Sequence, residues 1–236
     1  MRPRLWVWLI LLLPVSSCSL DPAERDYYAA LRGEETGMSR RQQLALVESA
    51  IALEPRRATY RETHAIYSID VREFARAAAD LDTAIQLADR PYLRFLRGLV
   101  ACQRGEYEAS LPDFDRAIAG QPKNAQFYRG RSLARSALGR YEEALEDADR
   151  LRTMAPQQGE THYARGVALA GLGRPREAVD AYDEALRIRP ELVYPLRARA
   201  DASEALGDTL RARSDREAAD AKEPNAFAPA VDPFRY

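Results

Sequence analysis

The sequence predicts an all-α chain, a solenoid of antiparallel helix pairs, and three in-phase series predict it. Gly105, Gly139, Gly173 and Gly207 recur every 34 residues, and Pro122, Pro156, Pro190 and Pro224 keep the same interval 17 residues later. Small residues repeat in step: Gly98, Ser132, Gly166 and Ala200, then Ser110, Ala144, Ala178 and Ala212. A fixed period of this length with helical patterning implies units that stack on their neighbours. A single helix pair cannot bury enough apolar surface to offset the entropy of ordering it.

Each element has a mechanical reason. The glycine ends the first helix of a pair, because a residue without Cβ enters the left-handed conformation cheaply. The proline stops the second helix, having no amide to donate and clashing with a continuing turn. The small residues let two backbones approach, and Phe114 and Tyr182, with Leu81 in an earlier copy, fall where a second helix meets the next pair. In chain order the pairs are a weaker one at 24–57, ending at Pro55, then 58–90, 91–124, 125–158, 159–192 and 193–225. The copy at 58–90 is one residue short, and Asp89 stands where the proline would be. Pro112 falls inside a second helix, where it is expected to remove a hydrogen bond at a cost of up to ~3 kcal/mol or to bend the helix. Pro175 suits its place in a first helical turn. Arg216 replaces the Phe114 and Tyr182 type in the last copy, as suits a repeat that no neighbour covers.

Gly-Glu-Tyr-Glu-Ala at 105–109, with Phe114, Ala117 and Pro122, and Leu-Gly-Arg-Tyr-Glu-Glu-Ala-Leu at 138–145 resemble the tetratricopeptide repeat family, over roughly 200 residues. The resemblance implies five repeats after a degenerate leading pair, wound as one cooperative right-handed superhelix. It also implies that partners lie along an inner, concave surface made by first helices.

A second periodic signal is electrostatic. Arg97, Arg131 and Arg199 lie eight residues before a glycine of the series, and Asp113, Asp147 and Asp215 lie eight after it. Those positions are level in an antiparallel hairpin, so each Arg is expected to pair with its Asp, with His64 and Asp80 as the variant in the first repeat. Arg165 meets Ala181 and breaks the series. A partly exposed pair contributes ~0.2 to 1 kcal/mol, which sets hairpin register more than stability.

The amino terminus has the layout of a secretion signal: Arg2 and Arg4, an apolar run from Leu5 to Val15, then Ser16 and Ser17 before Cys18. Eleven apolar residues span about 16 Å as a helix, half a bilayer core, too short for a permanent span. Val15-Ser16-Ser17-Cys18 resembles the bacterial lipoprotein signal. That resemblance implies cleavage after residue 17 and lipidation of Cys18, with Ser19 favouring the outer membrane and a periplasmic protein. Residues 18–23 would be a linker reaching ~17 Å. Loss of 1–17 takes the formal charge from -1 to -3, because Arg2 and Arg4 leave, and no basic excess remains to recruit nucleic acid.

No cofactor and no metal are expected beyond the covalent lipid. Cys102 reads as a small packing residue, His64 and His162 lie far apart in the repeat scheme, and no phosphate loop, metalloprotease signature or nucleophile elbow is present. The expectation is a binding protein without catalysis of its own. Its helical spacing marks an inner stripe: Tyr92, Phe95 and Leu99, then Gln126, Arg129 and Leu133, then Tyr163 and Val167, then Tyr194, Arg197 and Asp201. Aromatic anchors beside arginines suit a protein or peptide partner with apolar and acidic groups; packing between hairpins is the competing reading of the same side chains. The tail, 226–236, is expected to be extended, with Phe227, Phe234 and Tyr236 either folded over the last hairpin or offered to another protein. Two other functions stay open at this point: an accessory subunit or cryptic envelope hydrolase, which needs a clustered acid and base, and a structural spacer that binds little.

Overall fold

The computed structural model describes residues 20–222. Among these are twelve helices and no strand, in two compact units divided between Ala88 and Asp89. The signal segment, Cys18 and the tail lie outside the described residues. The described residues form the expected all-α stack of helix pairs, and the boundary between the two units falls in the short repeat, at Asp89, which stands where the other copies carry proline.

Unit 1 holds two hairpins, α1 (Pro22–Leu31) with α2 (Arg40–Leu53) and α3 (Ala58–Asp70) with α4 (Phe74–Leu87). The Asp21 carboxylate accepts from the amides of Ala23 at 2.8 Å and Glu24 at 3.0 Å, just ahead of Pro22 at the first helical position. Ser39 and Gln42 form a reciprocal capping box at α2. Inside lie Val47, Ala50 and Tyr60, with Tyr67 beside them.

Unit 2 holds four: α5 (Pro91–Gln103) with α6 (Tyr107–Gly120), α7 (Ala125–Ala137) with α8 (Tyr141–Met154), α9 (Gly159–Gly171) with α10 (Pro175–Ile188), and α11 (Tyr194–Ala205) with α12 (Thr209–Lys222). Each second helix packs on the first helix of the next pair, and successive first helices also touch. Small residues make these contacts possible. Phe114, fully buried, lies between Gly98 and Gly130, where an added Cβ would stand 2.9 and 2.7 Å from its ring. Pro112 leaves α6 unbroken on an exposed face. Pro175 starts α10, and Arg216 is exposed on the last helix.

The glycines of the series all have positive φ, from +69° at Gly173 to +82° at Gly207. After each, the chain closes the helix with an amide that reaches back five residues, as Glu106 does to Ala101 and Arg140 to Arg135, both at 2.9 Å. The same closure in the short repeat runs from Glu73 to Ser68 at 2.8 Å, and the residue in the left-handed position there is Arg72, at φ +63°. A Cβ added to Gly139 would meet nothing within 4 Å, so the constraint on that residue is conformational alone. Arg72→Gly is therefore expected to stabilise unit 1 by about 0.5 to 1 kcal/mol, and Gly139→Ala to destabilise unit 2 by about 1 kcal/mol. Urea unfolding of both variants checks this, and a loss of stability in Arg72→Gly would contradict it.

Candidate partner-binding face

The hairpin pairs form as the spacing predicts. Arg97 donates to Asp113 at 2.6 and 2.8 Å, Arg131 to Asp147 at 2.9 and 2.7 Å, and Arg199 to Asp215 at 2.8 and 2.6 Å, each in a two-pronged fork. His64 Nδ1 lies 2.5 Å from Asp80 Oδ2. All four aspartates are buried. A further arginine reaches three of them: Arg61 at Asp80, Arg94 at Asp113 and Arg135 at Asp147.

A further set joins one hairpin to the next, and the spacing within a repeat does not predict it. Arg131 also donates to Asp115 at 2.6 Å and Arg199 to Asp183 at 2.6 Å, while Arg165, facing Ala181 in its own pair, donates to Asp149 at 3.1 Å. Each of these acids sits on the second helix of the preceding pair. Asp115, Asp149 and Asp183 are themselves 34 residues apart, so the signal lies in the sequence, between repeats instead of within them. Burial pulls the Arg131 pKa down, but hydrogen bonds to Asp147 and Asp115 outweigh it and the net shift is upward. At Arg199 the bond to Asp215 leads and the shift is also upward.

This packing decides which stripe residues remain available. Phe95, Leu99, Leu133 and Tyr163 are between 2% and 7% exposed, so they are core and not contact surface. Phe95 sits 6.1 Å from the Phe114 ring of its own pair and 4.9 Å from Phe127 of the next. Tyr163 repeats the arrangement with Tyr182 at 6.0 Å and Tyr194 at 4.5 Å. These two side chains join neighbouring hairpins, and truncating either to alanine is expected to destabilise the unit by about 3 to 5 kcal/mol.

Tyr92, Gln126 and Asp201 are exposed, and Arg129, Val167, Tyr194 and Arg197 are half-buried. Val167 leans on the core. Asp201 accepts from Arg216 at 3.1 Å, and Arg197 donates to Asp220 at 3.4 Å. Around Tyr194 the charges gather: burial first, then Glu160, push its hydroxyl pKa up, while Arg129 and Arg189 pull it down. Arg189 reaches Glu160 at 2.9 Å. Spacing along first helices did not point to Arg189, which follows α10 and turns back onto α9. The residues of the stripe that keep accessible surface are thus Tyr92, Gln126, Arg129, Tyr194, Arg197 and Asp201, an aromatic and charged set with Glu160 acting on Tyr194.

Cys18 lies outside the described residues, and Cys102 is buried in the core of unit 2. His162 Nε2 lies 2.8 Å from the Pro156 carbonyl oxygen. Among the described residues no group of three or more His, Cys, Asp and Glu side chains is arranged to hold a metal ion, and no helix is long and apolar enough to cross a membrane.

Stacked helix pairs with a 34-residue period, left-handed glycine closures and accessible first helices define a class of repeat scaffold. The tetratricopeptide repeat profile matches residues 63–125, 95–158 and 129–193, together more than half of the chain. The chain belongs to the tetratricopeptide repeat family. Among solved structures it is similar to PilW, described as a widely conserved type IV pilus biogenesis factor, with a TM-score of 0.75 at 16% identity over 89% of this chain and 97% of that one. It is also similar to a tetratricopeptide repeat protein from Parabacteroides merdae, with a TM-score of 0.73 at 18% identity over 86% and 80% of the two chains. A third is YrrB, described as having an unusual peptide-binding site, with a TM-score of 0.62 at 18% identity over 75% and 91%. At these identities the likeness is one of fold. No curated protein matches the chain.

Burial pushes the Asp80 carboxyl pKa up, and hydrogen bonds from His64 and Arg61 outweigh it, so the net shift is downward. A carboxyl whose folded pKa is below its unfolded value adds stability above the unfolded pKa and loses it as pH falls through the folded one. Asp80→Asn is expected to weaken unit 1 at neutral pH, with the difference from the unaltered protein narrowing below about pH 4. Urea midpoints measured across that range test it; a gap that widens in acid would refute the assignment.

Proposed function

We propose that this protein is a non-catalytic scaffold held at the bacterial envelope by lipid on Cys18, where the first-helix stripe of unit 2 binds a partner protein or peptide. The supporting observation is the stripe itself: Tyr92, Gln126, Arg129, Tyr194 and Arg197 remain accessible after the stacking contacts are made. Tyr194 among Arg129, Arg189 and Glu160 offers an amphipathic ring with charges of both signs, suited to an extended or helical segment carrying apolar and acidic groups. Envelope tethering rests on the signal-like run ending at Cys18 and on the short reach from that residue to α1. Assembly of pili or secretion channels, or recruitment of cell-wall enzymes, are tasks this arrangement fits.

The test has two arms in intact cells. A photo-reactive residue at Tyr92 or Tyr194 is expected to trap one discrete partner, whereas the same probe at Glu146 or Arg150, exposed on α8, traps none. Equal trapping from both faces would move the site elsewhere. Cys18→Ala is expected to shift the protein from the membrane to the soluble fraction, and continued membrane retention would count against lipidation.

A further inference from the structure

Helix α12 runs back along α11, so its last turn lies beside the first turn of α11. Two contacts fix this: Arg197 donates to Asp220 at 3.4 Å, and Lys222 Nζ donates to the Pro190 carbonyl. The chain therefore leaves α12 at the end of the hairpin where Tyr194 and Arg197 enter the stripe. Beyond it lie residues 223–236, Glu-Pro-Asn-Ala-Phe-Ala-Pro-Ala-Val-Asp-Pro-Phe-Arg-Tyr. Pro224, Pro229 and Pro233 disfavour helix and bias the residue before each toward extended backbone.

The chemistry of this segment is the one the stripe suits. Phe227 and Phe234 are apolar anchors, Asp232 is an acid between them, and proline lowers the entropy lost on docking. The exposed side of α12 is a poorer seat. Arg213, Arg216 and Glu217 stand on it, Arg216 is already held by Glu204 and Asp201, and the one large apolar side chain that α12 exposes, Leu210, is at the far end from Lys222.

Reach and charge agree. Five residues carry the chain from Lys222 to Phe227 across as much as ~17 Å, and ten carry it to Asp232 across ~34 Å. Tyr194 is on α11 of the same hairpin and Arg129 is on α7, two first helices further, with packed helix axes ~8 to 10 Å apart. Arg129 is near enough to Tyr194 to pull its hydroxyl pKa down. Glu160 and Asp201 on that path have cations of their own, Arg189 at 2.9 Å and Arg216 at 3.1 Å, so neither meets an incoming carboxylate as an uncompensated charge.

We propose that residues 225–236 occupy the stripe of unit 2 in the absence of a partner, with Phe227 against Tyr194 and Asp232 at Arg129, and that a partner binds by displacing them. This occupancy presupposes the peptide-binding role proposed for the stripe. A tethered segment acts at an effective concentration on the order of 1 mM, so even weak docking fills the stripe, and partner affinity falls with the fraction left open.

A photo-reactive phenylalanine in place of Tyr194 in the purified full-length protein tests occupancy without any partner. Trypsin releases residues 223–235 as one peptide. Irradiation is expected to join it to the peptide that carries position 194, within one molecule in a mixture of ¹⁵N-labelled and unlabelled protein. The same probe at Arg150 is expected to leave it unjoined, and Phe227→Ser with Asp232→Asn to lower the yield from position 194 by about threefold or more. In cells, that double substitution is expected to raise partner capture from a probe at Tyr92 by about three- to tenfold. No joining to 223–235, joining between molecules, equal joining from Arg150, or a captured partner whose yield the double substitution leaves unchanged would overturn the inference and leave the stripe open to a partner. Joining within one molecule, with no partner captured from Tyr92 by either form, would support the seated tail and count against the proposed function alone.

Discussion

The constraint on which unit 2 depends is an arginine on each first helix that reaches an acid sixteen residues away, Arg97 ahead of itself, Arg165 behind, and Arg131 and Arg199 in both directions along the chain. Arg131 holds Asp147 across its own hairpin and Asp115 on the preceding one, and Arg199 does the same with Asp215 and Asp183. A guanidinium suits this because its planar fork presents several donors at fixed angles. Ion pairs of this kind contribute little net energy once their desolvation is counted. What they set is register. A helix that slid by one turn would strand a buried aspartate without its cation, which costs far more than an exposed pair contributes.

Apolar packing supplies the energy that the ion pairs do not. Phe95 and Tyr163 each stand between an aromatic of their own hairpin and one of the next. Glycines opposite Phe114 and Tyr182 allow the backbones close enough for those rings to fill the gap: a Cβ at Gly166 would fall 2.4 Å from Tyr182. Small and large residues thus alternate across each interface, which is the arrangement that fills space in an interior without voids. The arginine ladder and the aromatic joints act on the same interfaces, one fixing the alignment and the other making that alignment the stable one.

Helix boundaries are readable in the sequence because glycine and proline act locally: a left-handed closure needs only its own few residues, so Gly105 or Gly173 announces it directly. Arg72 gives no such sign, since its left-handed φ is imposed by the closure around it and not by its own preference. The hairpin pairs are also readable, because Arg97 and Asp113 are level in any antiparallel pair. Asp115, Asp149 and Asp183 belong to contacts between pairs, which a spacing rule written within one repeat does not reach. The inner stripe is the least legible part. Tyr92, Phe95 and Leu99 share a face of α5, but a stacked first helix packs against its own second helix, the preceding second helix and the adjoining first helices. Its buried arc is therefore wide, and helical period alone does not separate residues that pack from residues that remain open.

The two units show different consequences of variation within the repeat. On unit 2 the regular repeat consumes Phe95, Leu133 and Tyr163 and leaves a row whose character changes from one hairpin to the next, from Tyr92 through Arg129 to Tyr194. A repeat fold gains specificity in this way, because the positions that must pack are fixed by the period while the open ones are not. In unit 1 the variation falls inside the hairpin instead. Replacing the ladder arginine by His64 keeps a partner for Asp80, yet the ring is shorter and uses only one nitrogen for that bond. A guanidinium forks two of its donors onto one carboxylate; an imidazole has its second nitrogen on the opposite side. The second ring nitrogen of His64, buried and without a hydrogen-bond partner, follows from that single substitution in the repeat.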